Sequence, residues 1–232
     1  MQTLTISKPD DFHLHLRDGA AMASIVNYSA AQFSRAIVMP NLKPAITTVD
    51  MALSYRERIL GSVDEKYNFE PLMTLYLTDN MLPDVINIAA QTESIKALKY
   101  YPAGATTNSD CGVTDIKKIY SVLEAMMKNE LPLLIHGEVS DIEVNVFDRE
   151  KVFIEKVLEP LVDDFCELKI VFEHITTKAA VDFVLNASSN VAATITPQHI
   201  LLNRNDLFNE SFRPHNYCFP VLKEEDDRLA VL

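Results

Sequence analysis

The chain is short of glycine, of cysteine and of positive charge, and each shortage closes off a class of function. Five glycines in 232 residues leave no G-x-G-x-x-G and no Walker A loop, so the common dinucleotide and P-loop nucleotide sites are absent. The three cysteines, Cys111, Cys166 and Cys218, are scattered, odd in number and without C-x-x-C spacing. That argues against a disulfide framework and a structural zinc knot, and leaves them as reduced thiols. Twenty-one Lys and Arg against 33 Asp and Glu give a net charge of −12. Such a surface repels phosphate backbones and anionic membranes, so neither nucleic acid nor membrane is expected as a partner. No stretch approaches the ~20 apolar residues of a membrane span, and the opening MQTLTISKPDD lacks the basic and apolar regions of a signal peptide. The expected compartment is the cytoplasm.

Hydrophobic residues make up 48% of the chain and charged ones 23%, the balance of a protein with a packed core. No linker or low-complexity tract interrupts the sequence. Apolar strand-like runs alternate with amphipathic stretches: FHLHL before a helix over about 20–34, RAIVMPN before VDMALSYRERIL, FEPLMTLYLT before PDVINIAAQ. IKALKYYP passes through the loop AGATTNSDCG into a helix that Thr114 could cap. LPLLIHGE, LKIVFEHIT and NVAATITPQH open three further units. Seven strand–helix units in a row predict parallel β with right-handed crossovers, and a (β/α)8 TIM barrel over residues 1–232 as one domain.

In such a barrel the chemistry sits at the C-terminal strand ends, and the polar residues of this sequence collect there. In DDFHLHLRDG the strand alternation puts His13, His15 and Arg17 on one side and Phe12, Leu14 and Leu16 on the other. Asn41 follows the second strand, Lys99 lies in the fourth, and His136 and His174 close the fifth and sixth. Lys99, His136 and His174 each interrupt an apolar run, ALKYY, LLIHGE and VFEHIT. A buried charge or imidazole there is costly unless paired or bound to metal. His199 and His215 show no such placement and read as structural.

The set HLHLRDG, VMPN, KYYPAGATTNS, LIHGE, FEHITT and RPHNYC resembles dihydroorotases of the bacterial single-domain type, in the amidohydrolase superfamily, and the likeness runs in order from about residue 7 to residue 223. It implies zinc-dependent, reversible cyclisation of N-carbamoyl-L-aspartate to L-dihydroorotate, a step of pyrimidine synthesis, by a homodimer. It implies two Zn2+ per chain, His13 and His15 on one ion and His136 and His174 on the other, with Lys99 bridging them as a CO2-derived carbamate. Arg17 and Asn41 match positions that hold the substrate carboxylate, His15 and His136 also border the substrate, Thr106 and Thr107 lie in a closing lid, and Phe219 matches a main-chain contact. The family's general-base aspartate ends the eighth strand. On this reading it lies beyond Leu232, the barrel domain is incomplete at its C-terminus, and Asp226 and Asp227 are helix-start acids. A hydantoinase-like cyclic amidohydrolase, or an inactive dihydroorotase-like partner subunit, stays open as an alternative.

Overall fold

Strands such as Leu133–His136, buried at every position, can only sit in a sheet covered on both faces, which is how parallel sheets are built. A computed structural model describes residues 3–232, and in it seven parallel strands pair in chain order. They are β1 (Asp11–Leu14), β2 (Arg35–Val38), β3 (Glu70–Tyr76), β4 (Ile95–Tyr100), β5 (Leu133–His136), β6 (Ile170–Glu173) and β7 (Val191–Ala193). Between them run α1 (Gly19–Gln32), α2 (Val49–Leu60), α3 (Pro83–Ala90), α4 (Tyr120–Lys128), α5 (Arg149–Phe153) continuing through a π turn into α6 (Glu159–Asp164), and α7 (Lys178–Asn186). A short α8 (Pro197–Leu201) and α9 (Glu225–Val231) follow β7. The sheet curls like most of a barrel: the rings of His13, on β1, and His174, just after β6, lie 5.0 Å apart between centroids. Among the described residues β1 and β7 do not pair with each other.

Capping explains where the helices start. Asp18 accepts from the Gly19 amide, Thr48 from Met51 and Thr177 from Ala180, at the heads of α1, α2 and α7. The π turn precedes Pro160, whose missing N–H and bulky ring forbid a regular α turn at that point.

Outside the sheet, the helices cover a core that includes Leu16, Val26, Ile59, Leu75, Leu98, Leu133 and Phe172. Inside the curl lies a smaller layer, Met39, Ala97 and Leu134 with Ile37 and Val171 packed against it. Successive strand residues face opposite sides, so Lys99, His136 and Glu173, each two residues beyond Ala97, Leu134 and Val171, face the same interior one step nearer the C-terminal ends. The apolar layer is the floor of the site.

Three local expectations are corrected. Strand β1 ends at Leu14, so Arg17 does not share the strand alternation; it sits beyond it with φ +60°. Phe12, set by the alternation on the side of Leu14 and Leu16, does not share the full burial of Leu16 and is 57% exposed, in the strand that borders the sheet among the described residues. Thr114 is no helix cap: its hydroxyl donates to Asp79, and Asp115 caps a 3-10 turn, Ile116–Ile119, that leads into α4.

Candidate metal centre

Four histidine rings and one lysine converge above the apolar floor. His13 packs edge-on against His15 and His174, at 4.9 and 5.0 Å, and His174 against His136 at 4.9 Å. Each of three rings has one nitrogen anchored. His13 donates from Nδ1 to Glu173 Oε1 at 2.9 Å, His15 from Nδ1 to Asn41 Oδ1 at 2.9 Å, and His136 from Nε2 to Glu138 Oε2 at 2.9 Å. This is how metal-ligating imidazoles are oriented: a carboxylate or amide fixes the tautomer and frees the opposite nitrogen.

The freed nitrogens have no ordinary partner. His13 Nε2 and His15 Nε2 face each other at 3.0 Å. With both Nδ1 atoms donating, this contact asks for a cation, either a second proton on one ring or a metal ion beside the two nitrogens. Protonation does not supply that cation at His15, because burial, then the charges of His13 and Arg17, push its pKa down to about 3. His174 Nδ1 is buried and bonded to nothing, and burial holds that ring neutral as well. Ligand atoms of His13, Glu173 and His174 all lie within 4.8 Å of one another. Imidazole nitrogens so placed, with a carboxylate holding one ring, fit Zn2+.

Lys99 is fully buried, and its Nζ pairs with Glu173 Oε2. Burial lowers its pKa, against the opposing pull of Glu173. Glu173 itself, which burial alone would raise, is held down to about 2 by Lys99 and His13.

A cavity of about 350 Å³ opens over this cluster, and its walls bring together His15, Arg17, Asn41, Thr106, Thr107, His136 and Phe219, the whole expected substrate-facing set. The Arg17 guanidinium makes no hydrogen bond or ion pair among the described residues. Asn41 is engaged at both ends, accepting from His15 and donating from Nδ2 to the Thr107 carbonyl at 3.0 Å. Asn108 donates back to the Asn41 carbonyl at 2.9 Å, so the loop around residues 104–112 is tied down beside His15 and Asn41. Tyr101 lines it too, its buried hydroxyl unpartnered. His199 behaves as expected of a structural residue: Thr196 donates to its Nδ1 and its Nε2 donates to the Pro220 carbonyl.

Sequence reasoning did not pick out Glu173, Glu138 or Tyr101. The signal for the first two was present, since each is an acid within two residues of a histidine at the end of an apolar run, where an unpaired carboxylate could not survive.

No family model matches the chain. It is 61% identical over all 232 residues to the dihydroorotase of Microcystis aeruginosa, spanning 67% of that protein, and 59% identical over 230 residues, 99% of the chain, to the dihydroorotase of Delftia acidovorans, spanning 66% of it. The crystal structure of dihydroorotase from Campylobacter jejuni superposes with a TM-score of 0.89 at 39% identity, covering 96% of this chain and 64% of that one. Dihydroorotase from Saccharomyces cerevisiae in complex with 5-fluoroorotic acid gives 0.87 at 34% identity, with the same coverage. An L-hydantoinase from Arthrobacter aurescens, at 15% identity, TM-score 0.77 and coverage of 96% of this chain and 54% of its own, shares the fold alone. The chain thus spans about two thirds of the length of the curated relatives it matches. With identity of this order over the full length of the chain, the chain belongs to the dihydroorotase family.

Proposed function

We propose that this chain carries the metal-binding and substrate-binding residues of the site for the reversible closure of N-carbamoyl-L-aspartate to L-dihydroorotate, a reaction that hydrolyses a cyclic amide in one direction and forms it in the other. One observation carries the reading: two imidazole nitrogens 3.0 Å apart, beside a buried unpartnered His174 nitrogen, in a cavity that also presents an unpaired guanidinium.

His13, His15, His136 and His174 would hold two zinc ions with Lys99 between them. Bound there, the ions would supply Lewis acidity toward the amide carbonyl and water of lowered pKa. His15, His136 and His174 serve as neutral donors, a form that burial favours. Lys99 serves as a carbamate, whose two anionic oxygens suit a bridging position. A neutral amine is the form that adds CO2, and burial favours that form at Lys99. Glu173 keeps His13 in the tautomer whose Nε2 is free. Arg17 binds the substrate carboxylate through its planar fork, and the second N–H of Asn41 Nδ2, not used by Thr107, is available to the same carboxylate. Thr106 and Thr107 close over the ligand, and Phe219 borders it. A small anionic substrate accords with the free guanidinium, and the family likeness supports a cytoplasmic homodimer.

The test is an assay of the purified protein in both directions alongside elemental analysis. Close to two zinc ions per chain and turnover of dihydroorotate support the reading. A metal-free preparation made without chelator, or a zinc protein that opens hydantoins and not dihydroorotate, would overturn it.

A further inference from the structure

His174 differs from the other three histidines in how it is held. Glu173, Asn41 and Glu138 grip a ring nitrogen of His13, His15 and His136, but among the described residues no side chain bonds the ring of His174. Its backbone is also in the left-handed region, φ +44°, which a side chain bearing Cβ resists unless its surroundings impose it.

What imposes it stands on either side. The His174 amide donates to Thr194 Oγ1 at 2.8 Å and the Ile175 amide to the Thr194 carbonyl at 3.0 Å. The next two amides go to Glu150, a residue 1% exposed that does not line the cavity. Its Oε1 accepts from the Thr176 amide at 3.0 Å, the Thr177 amide at 2.8 Å and the Thr177 hydroxyl at 2.6 Å. Its Oε2 accepts from the Thr176 hydroxyl at 2.9 Å and shares the Thr176 amide at 3.1 Å. Four donors on one buried carboxyl is a dense clamp, and breaking it would leave two buried amides unpaired.

We propose that Glu150 is a positioning residue for His174: by fixing the 176–177 backbone it aims the imidazole into the metal centre, the service that the other three histidines receive at their rings. The inference rests on the reading above, in which His174 is a zinc ligand.

The test uses the zinc-loaded full chain and the variants E150M, E150Q and T176V. Methionine keeps volume and removes every acceptor. Glutamine keeps one oxygen for both amides, and its NH2 can donate to a reversed Thr176 hydroxyl. Zinc release to a competing chelator and the visible spectrum of the cobalt-substituted protein are read at a temperature where circular dichroism shows each variant folded. E150M should release zinc roughly tenfold more readily than wild type, the scale of losing an outer-shell partner, with an altered cobalt band. E150Q should recover most of the wild-type behaviour, and T176V, which loses one of the four donors, should show a smaller loss in the same direction. Folded E150M with wild-type zinc release and spectrum would overturn the proposal, whatever its melting temperature. If E150M does not fold, T176V decides: unchanged zinc release overturns it and faster release supports it. Wild-type protein that binds no zinc overturns the metal reading itself, a different failure from a zinc protein indifferent to Glu150.

Discussion

The hydroxyl of Tyr55 donates to the backbone carbonyl of Arg17 at 2.6 Å. Tyr55 is buried in α2, 38 residues away in sequence, and Arg17 holds φ +60°. Asp18 completes the anchor, accepting from Arg58 Nε and Nη2 at 3.0 and 2.7 Å and from the Gly19 amide that starts α1. The guanidinium proposed to grip the substrate therefore leaves a backbone pinned from two sides.

Tyr55→Phe should raise KM for dihydroorotate while leaving kcat nearly unchanged, because it loosens a group that binds ground and transition states alike. One lost hydrogen bond of about 1 kcal/mol corresponds to roughly a fivefold rise. Arg17→Lys should raise KM further, since an ammonium cannot make the bidentate contact. Steady-state kinetics on the two variants checks this, and unchanged KM in both would remove Arg17 from the substrate site.

Gly137 separates His136 from Glu138, and a Cβ there would overlap the ring of Phe172, which is fully buried. Gly137→Ala must displace that ring or the strand end, at a cost of about 1–3 kcal/mol typical of overpacking. It should also disturb the His136–Glu138 pair. Pairing it with Phe172→Leu should return part of the stability. Denaturant melts of the two single variants and the double variant test the coupling; strict additivity would show that ring and Cβ do not meet.

These features divide by how far they could be read in the sequence. Alternating apolar runs and amphipathic segments made the barrel legible, because strand and helix periods differ, and polar residues at the ends of apolar runs exposed Lys99, His136 and His174. The left-handed turn at Arg17 was hidden: HLHLR continues a strand pattern, and only Tyr55 and the Asp18–Arg58 pair, distant in sequence, end the strand at Leu14. Glu173 and Glu138 were partly visible as acids in apolar runs, but which histidine each would grip depends on the curl of the sheet. Glu150 was invisible, since an acid near a helix start ordinarily faces solvent, and nothing local reports the two threonine amides 26 and 27 residues on.

Acid should destabilise the metal-free protein. The folded pKa of His15 is depressed from 6.5 to about 3, chiefly by burial, and His136 and His174 shift the same way. Their contribution is fully present above the unfolded value near 6.5 and is lost as pH falls toward the folded values, because the unfolded chain takes up protons first. Glu173, depressed from 4.5 to about 2, adds to the loss below 4.5. Glu150 runs the other way, its carboxyl raised by burial, but it stands against these four and the buried His199, which burial also lowers. The melting temperature in chelator should therefore fall continuously from pH 7 to pH 4, and a flat profile would show that the histidines are not held neutral.

Lys99 and Glu173 give the sharpest test of the centre. In the metal-free protein Lys99→Ala leaves the Glu173 carboxylate buried with His13 as its remaining partner, and breaking a buried pair from one side costs about 3–5 kcal/mol. Adding Glu173→Gln removes the stranded charge, so the double variant should regain much of that stability while activity stays lost. The two effects separate because stability depends on charge balance, whereas activity on the proposed reading needs a bridging anion. Short carboxylic acids should therefore restore part of the activity of Lys99→Ala, by standing in for the carbamate, and should do so without raising its metal-free melting temperature. Intact mass adds a direct check: a carbamate survives only under gentle conditions and adds the mass of CO2 to Lys99. An active, zinc-loaded enzyme with Lys99 unmodified, or Lys99→Ala with full activity and no added acid, would leave Lys99 as the buried partner of Glu173 and nothing more.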